Sequence, residues 1–134
     1  ILGGEEGKGF AFAMKSLDNG RMSVGAAATG YARRALDSAL RYANERKAFG
    51  EPIANFQLIQ AMLADSRTEI YAARSMVVDA ARRRDDGEDV ATEASCCKLF
   101  ASEMAEREPG ELRGAIALVR RGSRTTWASR PLVQ

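Results

Sequence analysis

Apolar residues recur every third or fourth position along most of this chain, and no segment alternates with a period of two. Val24, Ala28, Tyr31, Ala32, Ala35, Leu36, Ala39 and Ala43 form one stripe, which predicts a long amphipathic helix from Arg21 to about Arg46. Much of that stripe is alanine, and small side chains let helix axes approach closely. A second stripe, Ile59, Met62, Ser66, Ile70, Ala73, Val77 and Ala80, predicts a helix that opens near Asn55 as N-cap. It closes at Asp85-Asp86-Gly87, where Gly87 suits a left-handed stop. A third helix is predicted over roughly Val90–Glu106, with Ala94, Cys97, Ala101 and Met104 facing inward.

The breaks between these segments are equally legible. Gly50-Glu51-Pro52 reads as a turn, because proline cannot continue a helix and disfavours helix at the residue before it. Phe10–Leu17 reads as a short apolar helix, ended at Asp18-Asn19-Gly20, which also carries helix-start chemistry. Pro109-Gly110 is expected to stop the third helix, leaving Glu111–Gln134 with one short helix around Ala115–Val119 and poor order after it. The first nine residues, ILGGEEGKG, have neither the preceding strand nor the Gly-Lys-Ser/Thr order of a phosphate loop. The expected class is all-α, an antiparallel up-down bundle of the four-helix type with its last helix incomplete. The chain is read as one domain, with 1–9 a connector, 10–107 the bundle and 108–134 a divergent tail.

Composition narrows the possible functions. The net charge is +2, from 20 basic and 18 acidic residues spread along the chain, which argues against a nucleic-acid partner. No run of about 20 apolar residues is present, so no membrane partner is expected. The chain contains no histidine, which excludes His-based triads, His general bases and His-ligated metals. Cys96 and Cys97 are adjacent, and on a helix their side chains diverge by about 100°. That geometry disfavours a mutual disulfide, and two cysteines do not make a zinc site. A reduced, cytoplasmic protein is the expectation.

Three groups could carry chemistry. Arg46 and Lys47 stand where the first long helix ends, either as cations complementing its dipole or as a phosphate clamp. Phe49, Ile53 and Phe56 follow within ten residues, as packing beneath a turn or as a surface for a flat cofactor. Asp18 and Arg21 read as a cap with a solvated arginine, or as a polar pair lining a ligand channel. Gln57 and Gln60 lie one turn apart, roughly on one face, and would need partners if buried.

Three blocks together resemble the C-terminal helical domain of the flavin-dependent acyl-CoA dehydrogenases. They are GGEEGKGFAFAMKSLDNGR (3–21), YANERKAFGEPIANFQLIQAMLAD (42–65) and ASCCKLFASEMAER (94–107). The resemblance implies a four-helix bundle packed on two further domains, with FAD lying between domains and across a subunit interface of a homo-oligomer. It implies that Arg46 contacts the FAD pyrophosphate of a partner subunit, and that Ala48, Phe49, Phe56 and Gln57 line the same flavin site. Asp18 and Arg21 match the family's Leu-Asp-x-x-Arg element along the acyl-CoA channel. The reaction implied is removal of the α-proton of an acyl-CoA thioester with transfer of a β-hydride to FAD.

The departures matter as much. The family's catalytic base is a glutamate, in most members in a Tyr-Glu-Gly-type element absent from this sequence. In others it precedes the arginine of the Asp-x-x-Arg element, where this chain has Gly20. No catalytic residue is therefore assigned, and the isolated chain is expected not to catalyse. The family's Gln-Ile-His-Gly-Gly stretch is replaced by GAIALVRRGSRTTW (114–127), through divergence or translation out of frame. Two other readings remain: a stand-alone helical oligomerisation or interaction module, and a nucleotide or acyl-CoA binder without chemistry.

Overall fold

A computed structural model of the chain describes residues 4–122, with side chains described over residues 4–107. Three long helices carry the fold: α1 (Gly9–Glu45), α2 (Gln57–Asp85) and α3 (Ala91–Gly122). Between α1 and α2 lie two two-residue strands, β1 (Lys47–Ala48) and β2 (Glu51–Pro52), and a 3₁₀ turn at Ile53–Asn55. The all-α class holds, because strands this short leave no period of two to read.

The helices run up, down and up. At one end Arg83 near the end of α2 bonds Glu93 at the start of α3, 2.6 Å away. At the other end Arg107 of α3 reaches back to Glu69 of α2 at 2.8 Å, so these two helices are antiparallel. Ala43 of α1 packs with Ile59 of α2 beneath the connection between them, so α1 and α2 are antiparallel as well. The main core joins all three: Ala28, Ala32 and Leu36 from α1, Ile70 and Ala73 from α2, Ala101 and Met104 from α3.

Close approach at this seam depends on small residues. A Cβ added at Gly25 would lie 3.1 Å from the Cys97 carbonyl oxygen and 3.3 Å from Val77 Cγ2. The polar groups that enter the seam are satisfied locally. Thr29 Oγ1 donates to the Gly25 carbonyl at 2.8 Å, and Ser66 Oγ donates to the Met62 carbonyl at 2.9 Å.

Several expectations need correction. α1 passes through Asp18-Asn19-Gly20 without a break. A helix-interior glycine costs only about 1 kcal/mol, and the Asp18–Arg21 pair at i,i+3 supports the helix there. Val24 and Tyr31 were expected inward; both are exposed, and Gly25 and Thr29 take the buried positions one face over. The turn tip is Phe49-Gly50, with Glu51-Pro52 paired in the hairpin ladder. Asn55 does not cap α2, which starts one residue after Phe56; its amide instead donates to Glu51 Oε2 at 2.8 Å. α3 continues to Gly122, through Pro109-Gly110 and over the separate short helix expected at Ala115–Val119. The expectation of poor order beyond that helix falls on 123–134, outside the described residues.

Candidate functional site

The connection between α1 and α2 is built from the backbone outward. Arg46 N–H donates to the Tyr42 carbonyl at 2.8 Å, finishing α1, and the Arg46 carbonyl accepts from Ile53 N–H at 2.8 Å. Pinned on both sides, the residue still has its guanidinium exposed, and among the described residues it forms no ion pair. Lys47 pairs with Pro52 and Ala48 with Glu51, which leaves Phe49 and Gly50 as a two-residue tip. Both tip residues have positive φ, 53° and 92°, the signature of a type I′ hairpin turn.

Phe49 is an unusual occupant of that position. A bulky L-residue in the left-handed region carries strain of order 1–2 kcal/mol, and asparagine or glycine is the normal choice. The residue is 78% exposed, so burial does not offset the strain. The ring stands edge-on to Phe56, with centroids 6.2 Å apart and planes 74° apart. Beneath the tip, Ala43, Ala48, Ile53 and Ile59 form a small apolar cluster, with Ile53 completely buried. Ala48 belongs to that cluster, so its side chain is buried.

Gln57, the first residue of α2, is exposed, and no side chain caps that helix. Its first N–H groups therefore remain available, a favourable end for an anion. Gln60 does not join this surface: its amide donates to the Ala54 carbonyl at 2.9 Å and braces the 3₁₀ turn.

Asp18 and Arg21 lie in a different place. They form a 2.6 Å ion pair within α1, so Asp18 is not a cap. Asp18 also lines a depression of about 400 Å³ at the α2–α3 connection, with Lys15, Arg84 and Asp89. From Asp18 to Arg46 the helix rises about 42 Å at 1.5 Å per residue. The structure thus separates the two predicted groups within one chain, while Arg46, Phe49, Phe56 and Gln57 all stand along the α1–α2 connection or at its border with α2, with the two rings in contact.

Sequence reasoning overlooked the parts that hold this surface. Ile53 pins Arg46, Gly50 supplies the second left-handed position, and the Glu51–Asn55 bond closes the loop. Two neighbouring left-handed residues do follow from a two-residue hairpin, but Phe-Gly lacks the usual Asn-Gly signal. Among the described residues no group of three or more metal-ligating side chains is placed to hold a metal ion. Nor is any helix there long and apolar enough to cross a membrane.

A three-helix body that presents an arginine, two aromatic rings and an open helix N-terminus on one connection defines a helical domain with a surface suited to a flat, phosphate-bearing ligand. The family model of the acyl-CoA dehydrogenase C-terminal domain matches residues 7–123, and the chain belongs to that family. It is 51% identical over 104 residues to probable acyl-CoA dehydrogenase YngJ of Bacillus subtilis, covering 78% of this chain and 27% of that protein. It is 49% identical over 102 residues to acryloyl-CoA reductase (NADH) of Anaerotignum propionicum, covering 76% of this chain and 26% of that protein. The structure of butyryl-CoA dehydrogenase from Megasphaera elsdenii superposes with a TM-score of 0.82 at 42% identity, over 84% of this chain and 30% of that one. The chain therefore spans about a quarter of the length of the curated relatives it matches. The match to the family extends beyond Arg107, where the motifs quoted above stop.

Proposed function

We propose that this chain is the C-terminal-domain portion of an acyl-CoA dehydrogenase-like flavoprotein, and that its α1–α2 connection serves as part of an FAD site. The family is FAD-dependent, acts on acyl-CoA and forms oligomers. The observation that carries the reading is the connection itself, where Arg46 is pinned by its backbone and its guanidinium forms no ion pair among the described residues. Such a group suits a pyrophosphate, because a guanidinium offers a planar fork to phosphate oxygens. Phe49 and Phe56 offer faces and edges to a flat ring system, the Ala48 backbone lines the same surface, and Gln57 offers an amide at the helix end. The residues present therefore fit the phosphate and ring portions of FAD.

The wide separation of Asp18 and Arg21 from Arg46 favours two half-sites per chain. Arg46 then serves the flavin held by a second subunit, while Asp18 and Arg21 lie along an acyl-CoA channel at the other end of α1. FAD, when bound, accepts the hydride released from the β-carbon of the acyl thioester. No residue of this chain is assigned to take the α-proton, since Gly20 stands at one family position of the base. The absence of a general base alone costs on the order of 10²–10⁴ in rate.

The test is an assay of the purified 134-residue chain with FAD, short and medium acyl-CoAs and an artificial electron acceptor. The expected result is weak flavin binding without turnover. Turnover at ordinary dehydrogenase rates would refute the assignment of no base, and no flavin binding at millimolar FAD would refute the half-site.

A further inference from the structure

Between Arg46 and Gln57 the chain carries a single carboxylate, Glu51. The hairpin register sets it directly opposite Ala48. Arg46 precedes Ala48 by two residues, its backbone is extended, and its carbonyl continues the ladder to Ile53. Alternation along a strand therefore puts Arg46 on the same face as Ala48 and Glu51, with Lys47 on the other. Such a diagonal pair stands about 7–8 Å apart, within reach of two long side chains. Arg46 and Glu51 are both exposed and opposite in charge, yet neither forms an ion pair among the described residues.

Glu51 is engaged elsewhere. Its Oε2 accepts from Asn55 Nδ2 at 2.8 Å. A carboxylate only accepts, and the asparagine amide satisfies it without competing for the guanidinium. Asn55 had another use available. It stands one residue ahead of Phe56, the N-cap of α2, a position that favours asparagine and where Phe56 makes no side-chain capping bond. The asparagine therefore meets Glu51 and does not cap the helix.

The second nearby carboxylate is Glu45, which directly precedes Arg46. Sequence neighbours at a helix end do not face each other, and Glu45 forms no ion pair among the described residues. Glu51 is thus the local competitor for Arg46. A carboxylate seated on the guanidinium would occupy the same planar fork that a phosphate needs.

We infer that Asn55 is a positioning residue: by holding the Glu51 carboxylate it keeps Arg46 unpaired and open to a phosphate. This role rests on the reading of Arg46 as a phosphate-binding residue. Asn55 acts through Glu51 and Arg46, and is not itself assigned a contact with the ligand.

The test uses the full 134-residue chain with Asn55→Ala, Glu51→Gln and the two combined. Without ligand, Asn55→Ala should bring the Arg46 δ-methylene protons into through-space NMR contact with the Glu51 γ-methylene protons, a contact absent from the wild type. In an FAD titration followed by amide shifts, Asn55→Ala should bind about two- to fivefold more weakly, the competition expected of one exposed ion pair. That loss should vanish when Asn55→Ala is made in the Glu51→Gln background, because the glutamine has no charge with which to hold Arg46. Rescue separates positioning from bracing, since a loop that merely needs the Asn55 bond stays weak in the double variant. Persistent weak binding there, or no Arg46–Glu51 contact in Asn55→Ala, would overturn the inference. Asn55→Leu, closer in shape, takes the place of the alanine variant if that one melts early. Absence of FAD binding by the wild type would refute the flavin reading alone, because the ligand-free contact still decides what Asn55 does.

Discussion

The seam between the helices and the connection at 46–57 are built on opposite terms. At the seam every residue answers to another part of the same chain: Gly25 to the backbone of Cys97, Thr29 to the Gly25 carbonyl, Leu36 to α2 and α3. At the connection the backbone is equally well determined, but the side chains it holds out have little to do within the chain. Arg46 forms no ion pair among the described residues, Phe49 is exposed on a strained backbone, and Gln57 opens an uncapped helix. That contrast, with strain at an exposed residue that no packing role requires, is what supports the proposed ligand surface.

The comparison can be broken first at the seam. Leu36→Ala removes a side chain that is 1% exposed, and the expected loss is about 2–5 kcal/mol in a denaturant melt. Gly25→Leu, which must push α3 away, is expected to lose about 1–3 kcal/mol by the same measurement. Losses near zero would mean that the seam is not the stabilising contact.

At the connection the sign should reverse. Phe49→Gly removes an exposed ring and relieves a left-handed L-residue, so stability is expected to hold or rise by up to about 1 kcal/mol. A loss above about 2 kcal/mol would show that the ring is structural.

The smallest effect is expected at the far end, where Arg83 joins Glu88 and Glu93 across the α2–α3 connection. Its own backbone N–H, and then Arg83, hold the Glu93 carboxyl below its ordinary value of 4.5. A carboxyl lowered in the fold binds its proton less tightly there than in the unfolded chain. Its contribution is therefore full above the unfolded value and is lost as pH falls through the folded one. Glu93→Gln should lower the melting temperature slightly at neutral pH, where the contribution is full, and leave it nearly unchanged at the acid end, so that the profile falls less steeply as pH drops below about 4.5.

How much of this was legible before the structure differs between the two regions. The seam was readable because apolar spacing reports burial directly, and Ala28, Ala32, Leu36, Ala73, Ala101 and Met104 all lie where the stripes put them. Val24 and Tyr31 were misassigned because a stripe rich in alanine is wide, and its edge residues fit either face equally well. The breaks at Asp18-Asn19-Gly20 and Pro109-Gly110 were overcalled, because local propensity is worth about 1–3 kcal/mol and a long helix can absorb it. The connection was readable only through its resemblance to a family. Its hairpin has two-residue strands and a Phe-Gly tip, too little for periodicity and the wrong residue for the usual turn signal.

The central claim is that the connection is ordered for a phosphate-bearing cofactor. The most direct test is an amide chemical-shift titration of the full chain with FAD, run on the wild type and on Arg46→Ala. Shifts confined to Arg46–Gln57 in the wild type, and lost in a variant that folds and melts like it, are what the account predicts. Shifts elsewhere, or shifts at the connection that survive the substitution, would contradict it.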